Sequence, residues 1–250
     1  MKRVLLVIVL LVVLVGGALA VANFVLDREG STGQTVSEPV GTIIVKSAAG
    51  DVDLVPAPSG RVEVRSVQHY VIKRPDLKVS VENGVLTIDA GCDTPVLKCY
   101  ADLRISVPAN LAVTVEADSG DIDAREVRAR SLHAESDSGD VRLGLVSRQR
   151  LVWAHTDSGA VDVIAADVRA VDAQSDSGDV AVDVFRRAPR RVVARSDSGF
   201  VQVLAIKGAY AIEARSDSGE VKVVGLTRNE RSPRSIEASS DSGDVALRAR

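Results

Sequence analysis

The chain has 250 residues, 46% hydrophobic and 26% charged, with a formal net charge of −3 and only 3% aromatic residues. So few rings imply a narrow core. A mildly acidic balance excludes a typical nucleic-acid-binding chain.

Lys2 and Arg3 precede an uncharged run from Val4 to Leu26, closed by Asp27. As a helix, those 23 residues span about 34 Å, enough for the hydrocarbon core. The positive flank keeps the N-terminus inside and exports the rest. The same segment also reads as a cleaved signal peptide, with Val4–Val15 as its apolar region and Ala18-Leu19-Ala20 as its cleavage site. Residues 1–26 are therefore a transmembrane anchor or a signal peptide. The chain is expected to be a single-pass membrane protein with its C-terminal domain outside the cytoplasm, or secreted or periplasmic after cleavage. A cysteine-linked lipid anchor is excluded, because no cysteine precedes Cys92. Residues 27–40 are polar, rich in Gly, Ser and Thr, and without periodicity. They read as a flexible linker.

Residues 41–110 alternate apolar and polar over Thr42–Ser47, Asp51–Val55, Arg61–Val67, Leu77–Glu82, Val85–Asp89 and Leu103–Val107. That is the pattern of half-buried strands. Asn83-Gly84 signals a hairpin. Ala48-Ala49-Gly50-Asp51-Val52 looks like a degenerate version of a turn that recurs later. The region is expected to supply irregular rungs and a cap, since an open solenoid end exposes unpaired strand edges. Cys92 and Cys99 are the only cysteines, flanking a short loop. In an exported chain they are expected to form a local disulfide, worth about 2 kcal/mol. Metal or redox chemistry is the alternative, but no histidine lies nearby.

From residue 111 onward the chain is a tandem array. Asp-Ser-Gly occurs seven times, with its aspartates at Asp118, Asp137, Asp157, Asp176, Asp197, Asp217 and Asp241. Spacings of 19 to 24 residues mark a solenoid. Relative to each turn aspartate, positions −5, −3 and −1 and then +4 and +6 are mostly β-branched, otherwise aliphatic or small, as in Leu132, Ala134, Ser136, Val141 and Leu143. The positions between them are mostly polar. Each repeat thus holds two short strands with one buried face, plus a third connecting side. Seven rungs at about 4.8 Å stack to roughly 34 Å. Alanine at −3 predicts tight packing, so that Ala214→Leu should overpack the core.

The turns suggest several chemistries. Thr156-Asp157-Ser158-Gly159-Ala160 resembles an aspartic-protease motif, but that reaction needs two aspartates sharing a proton across a cleft, not a ladder along one edge. Stacked acids such as Asp137, Asp140, Asp176 and Asp179 could hold calcium. Backbone N–H groups in Asx-turns compensate the charge without an ion, and this is the preferred reading. The serines after each aspartate, Ser119 to Ser242, lack a recurring base, so internal hydroxyl hydrogen bonding is expected rather than nucleophilic catalysis. No cofactor is expected.

The connectors are basic: Arg125, Arg128 and Arg130, then Arg148, Arg150 and Arg169, and near the end Arg228, Arg231 and Arg234. Arg186, Arg187, Arg190 and Arg191 form the densest cluster, around Pro189 in a lengthened connector. Ordinary surface pairing of acid with base is one reading. Contact with anionic envelope polymer or lipid is the sharper one, and these four arginines are its candidate patch. Trp153 and Phe200 fall at outward positions in different columns and suggest only rim packing.

The run Leu103–Asp121, the segment Asn83–Ile88 and the Ser-Asp-Ser-Gly-Asp-Val repeats resemble the bacterial putative-adhesin family of exported β-strand-repeat proteins. The resemblance covers roughly residues 40–250. It implies an all-β, right-handed parallel β-helix of about 20-residue rungs behind one N-terminal hydrophobic helix. Some relatives look like accessories of envelope-stress signalling. The family carries no established catalytic residues, and the arginine-rich connectors and the Cys92/Cys99 pair are departures from it. The expected function is a non-catalytic adhesin-like, scaffold or signalling-accessory protein of the envelope. Its expected partners are the membrane and either anionic envelope polymer or another envelope protein. The competing class is a carbohydrate-active enzyme, which would need convergent acids in a long groove.

Overall fold

The computed structural model describes residues 28–92, 98–145 and 149–250. The targeting segment expected at residues 1–26 lies outside the described residues, as does Arg148. Among the described residues no helix is long and apolar enough to cross a membrane.

The period-two pattern produces strands throughout. Before the tandem array come β1 (Arg28–Val36), β2 (Thr42–Ser47), β3 (Val52–Pro56), β4 (Val62–Tyr70), β5 (Asp76–Glu82), β6 (Val85–Gly91) and β7 (Cys99–Val107). The repeats then give β8 (Ala112–Ser119), β9 (Ile122–Val127), β10 (Ser131–Ser138), β11 (Val141–Leu145), β12 (Gln149–Ser158), β13 (Val161–Ala165), β14 (Val168–Ser175), β15 (Val180–Val184), β16 (Arg191–Ser196) and β17 (Val201–Ala205). The last part holds β18 (Ala209–Ser216), β19 (Val221–Val224), β20 (Thr227–Arg228), β21 (Ser235–Ser240) and β22 (Val245–Ala249).

These strands make two eleven-stranded sheets that share one core. Each rung contributes one strand to each sheet, for example β10 to one and β11 to the other, and successive rungs pair in parallel. The third side is only a short connector, such as residues 128–130 between β9 and β10. Inward residues fall at the offsets read from the sequence: Leu132, Ala134, Val141 and Leu143 are buried, as are Val152, Ala154, Val161 and Val163.

Rung order in space departs from chain order at both ends. The first rung, β2 with β3, sits between β8/β9 and β6/β7. The last rung, β21 with β22, is inserted between β16/β17 and β18/β19. The Asp-Ser-Gly turns therefore stack on one edge, but Asp241 precedes Asp217. Parallel pairing reads only local registry, and the two rungs are interchangeable by pattern. The long spacing from Asp217 to Asp241 leaves chain enough to loop back.

Antiparallel strands close the N-terminal end: β4 pairs with β7, β5 with β6 through the Asn83-Gly84 hairpin, and β1 with β4. Asn83 and Gly84 both have positive φ, as the tight turn requires. Strand β1 corrects the sequence reading, since residues 28–36 are not a flexible linker. The strand is almost wholly exposed and held by backbone pairing with β4, so it carries no apolar alternation to betray it.

The other end is more open. Val221 and Val223 in β19 are 41% and 37% exposed, whereas Val201 and Val203, at the same offsets one rung inside the inserted one, are 0% exposed. Ala214 belongs to this end rung and is only partly buried. The overpacking expected there belongs to Ala173, which is fully buried. Ala173→Leu should cost about 1–3 kcal/mol, whereas Ala214→Leu should stay within about 0.5 kcal/mol of wild type. Thermal melting of the two variants side by side checks this, and an equal loss in both would refute the rung order.

Cys92 and Cys99 are joined by a disulfide, with their Cα atoms 6.0 Å apart. It ties the end of β6 to the start of β7, and so one sheet to the other. Digestion of protein from its native compartment without reductant should yield the Cys92–Cys99 linked peptide. Recovery of two free thiols would contradict the pairing.

Candidate functional site

The turn edge is the most regular chemical feature of the molecule. A buried hydroxyl at −1 donates to the glycine carbonyl of the neighbouring rung: Ser136 to Gly120 at 3.0 Å, Thr156 to Gly139 at 2.8 Å, Ser175 to Gly159 at 2.8 Å and Ser196 to Gly178 at 2.7 Å. Ser240 donates to Gly199 and Ser216 to Gly243, both at 2.7 Å, following the inserted order. The sequence reading gave this task to the serine after each aspartate. Those serines are exposed, because the chain has already turned outward, and the residue before the aspartate does the bonding.

A second ladder runs through the acids at +3. The Asp51 carboxylate accepts the Asp121 N–H at 2.9 Å, Asp121 that of Asp140 at 2.9 Å, and Asp140 that of Ala160 at 2.8 Å. Asp179 accepts from Phe200 and Asp244 from Glu220, both at 2.8 Å. The ladder breaks after Ala160 and after Phe200, where no carboxylate is available. Of the four acids weighed for calcium, Asp140 and Asp179 therefore already hold backbone N–H groups, while Asp137 and Asp176 are exposed. The compensation is by backbone N–H, but from the next rung rather than within the same turn. Among the described residues, no three His, Cys, Asp or Glu side chains converge to hold a metal ion.

Arg142 joins this ladder, donating to Asp121 at 2.7 Å and also to Asp140. Burial alone would raise the Asp121 pKa, but the Asp140 N–H and Arg142 together outweigh it and hold the carboxyl below its ordinary value. Asp162, on the outer face of β13, moves the opposite way. Desolvation, and then the Asp183 charge, push it up against a smaller opposing pull from Arg142.

The four arginines of the lengthened connector divide. Arg187 lies 3.5 Å from Asp167, and Arg191 lies 3.1 Å from Glu237, which also engages Arg195. Arg186, at φ 70°, stands 5.9 Å from the Phe185 ring centroid. With Arg128, Glu126, Pro56 and Pro58, it lines a hollow of about 570 Å³. Arg190 is exposed on the connector edge. Arg125 is not on that edge but on the sheet face, where it pairs with Asp123.

Trp153 stacks on His133 with ring centroids 3.9 Å apart and planes 4° from parallel, and His155 tilts against it at 5.6 Å. Only the −4 and −2 columns of adjacent rungs bring these rings together. Phe200 stands apart at the turn edge, 38% exposed. A hollow of about 360 Å³ on the face of the other sheet is lined by Glu126, Arg142, Gly144, Asp162, Ile164 and Phe185, among others. Gly144 leaves it open, a signal visible in the sequence as a glycine at an outward strand position of the tandem array.

The turn ladders, the two sheets and the antiparallel cap cover almost all of the region that the Toastrack DUF4097 family model matches, residues 35–250. The chain belongs to this family. The resemblance read from Leu103–Asp121 and the turns is borne out. The toastrack fold recurs in a putative adhesin from Parabacteroides distasonis, 12% identical with a TM-score of 0.53, covering 88% of this chain and 97% of that one. A putative adhesin from Bacteroides fragilis is 12% identical with a TM-score of 0.48, covering 89% and 97%. A putative lipid binding protein from Parabacteroides distasonis is 14% identical with a TM-score of 0.47, covering 89% and 97%. At such identities the likeness concerns the fold alone. No curated protein sequence matches the chain significantly.

The two shifted aspartates predict opposite pH behaviour. A carboxyl held below its unfolded value of about 3.9 contributes stability above that pH and loses it as pH falls through its folded pKa. Asp121→Asn should therefore lower the melting temperature at pH 7, with the difference closing toward pH 2. A raised pKa carries a penalty above itself, so Asp162→Asn should raise the melting temperature at pH 7 and leave it unchanged near pH 3. Melting curves across that range check both signs.

Proposed function

We propose that this toastrack protein is an exported, membrane-tethered and non-catalytic β-solenoid. It acts at the cell envelope as an adhesin-like or scaffolding surface, or as an accessory of envelope-stress signalling. The finer architecture, a right-handed parallel β-helix behind one membrane helix formed by residues 1–26, belongs to the same proposal. So do its partners: the membrane itself, and anionic envelope polymer or another envelope protein.

One observation carries the non-catalytic reading. The groups that the repeat multiplies, hydroxyls at −1 and carboxylates at +3, are engaged in hydrogen bonds from rung to rung. They hold the solenoid together instead of converging on a substrate. The carbohydrate-active enzyme stays second on a specific observation, the hollow that has Glu126 and Asp162 in its lining with the Asp162 carboxyl raised. Desolvation and the neighbouring Asp183 account for that shift without catalysis.

Fractionation of native cells carrying a C-terminally tagged chain tests the proposal. The tag should sediment with membranes and be digested by protease added outside intact cells stripped of wall. A protease-protected chain in the soluble cytoplasm would overturn it.

A further inference from the structure

The connector edge carries a column of arginines that becomes continuous only through the spatial order of the rungs. Seven residues before each turn aspartate stand Leu111, Arg130, Arg150, Arg169, Arg190, Tyr210 and Arg234. Along the sequence, Tyr210 interrupts the arginines. In the fold, β21 lies between β16 and β18, so Arg234 follows Arg190 directly and Tyr210 falls beyond it. Main-chain bonds trace the column: Arg190 donates to the Arg169 carbonyl at 2.8 Å, and Ser235 donates to the Arg190 carbonyl at 2.9 Å. Arg150 takes its place by register, because Gln149 aligns with Val168 and Leu151 with Ala170. Five consecutive rungs thus carry arginine at one backbone position, about 4.8 Å apart.

The surroundings of this column set it apart from the sheet faces. There Arg142, Arg195 and Arg104 lie against carboxylates. Arg130, Arg169 and Arg190 are exposed, and no acid among the described residues lies within ion-pair distance of them. Immediate chain neighbours of the column carry no negative charge. On the sheet side they are Ser131, Leu151, Ala170, Arg191 and Ser235, a mostly small and uncharged shelf. At one end, Arg234 lies 5.5 Å over the Tyr210 ring. Like charges at this spacing repel one another, and the buried face that holds each rung does not require them.

We propose that this column is a binding track for a linear acidic polysaccharide with one carboxylate per sugar ring, laid along the solenoid axis. Guanidinium groups bind carboxylates in a bidentate fork and keep their charge at any physiological pH. An extended sugar chain advances by about one rung per ring, so successive carboxylates meet successive arginines. Each contact is weak alone, and affinity comes from making several at once. The inference deepens the envelope reading above and rests on it for where polymer and protein meet. It is tested independently of location.

The experiment uses the full chain purified in detergent, titrated with oligogalacturonates of one to eight units. Affinity should rise steeply with length and level off near five units. It should fall as salt is added, and it should drop by about 100-fold in the triple variant R130Q/R169Q/R190Q. Arg215→Gln, on the sheet face, serves as a control that should bind as wild type does. The melting temperature of the triple variant should be unchanged or higher, since these arginines have no acid partner to lose. Equal affinity for the monomer and the octamer would overturn the track, as would unchanged binding by the triple variant or no binding at all. Tighter binding to inorganic polyphosphate, or to vesicles of anionic phospholipid, would overturn the ligand class. The fractionation above would stand in each case.

Discussion

Each Asp-Ser-Gly turn passes so close to the rung beside it that no Cβ fits. A Cβ on Gly178 would lie 1.9 Å from the Gly159 carbonyl oxygen, one on Gly139 would lie 2.1 Å from that of Gly120, and one on Gly120 would lie 2.3 Å from that of Gly50. Gly120 also has φ 125°, a conformation that side chains resist. Glycine here is a condition of the stacking distance itself. Once the turns are in contact, the −1 hydroxyls reach the next carbonyl and the +3 carboxylates reach the next N–H. Sheet pairing and the narrow valine and alanine core follow from the same spacing. A bulkier turn would separate the rungs and break all three sets of bonds together.

The ends show how a repeated structure stops. At the N-terminus the chain reverses direction, so that β4, β5 and β1 cover the stack with antiparallel strands, and the disulfide ties the two sheets there. At the other end the final rung turns back into the stack and leaves β19 at the margin, with Val221 and Val223 exposed. Both first and last rungs are inserted between others. The C-terminal strand β22 is thereby held on two sides, between β17 and β19, instead of fraying from an open edge.

The two long edges are chemically opposed. On one, hydroxyls donate to carbonyls of the neighbouring rung and carboxylates accept its N–H groups. On the other, Arg130, Arg169 and Arg190 line up with no acid among the described residues within ion-pair distance. The same rung repeat that serves cohesion at the turns multiplies a single charge at the connectors. Surface ion pairs on the sheet faces, such as Lys46 with Glu116, add little stability of their own. What distinguishes the connector arginines is therefore not pairing but alignment.

Much of this was legible in the residues alone. The offsets of Leu132, Ala134, Val141 and Leu143 announce the strands and their buried face, because a period of two needs no tertiary information. Asn83-Gly84 announces its hairpin for a similarly local reason. Gly50, with only a degenerate motif around it, was still recognisable as a turn of the same kind. Strand β1 was not, because its partner supplies backbone bonds and no burial, leaving no mark on side-chain choice. The cross-rung roles of Ser136 and Asp140 were hidden as well, since their partners lie 16 and 20 residues away and only the stacking distance brings them into reach. The rung order is the clearest case. Asp217 and Asp241 head equivalent repeats, and any parallel strand with the right registry satisfies its neighbour. Only the path of the connecting chain through space puts Arg234 beside Arg190.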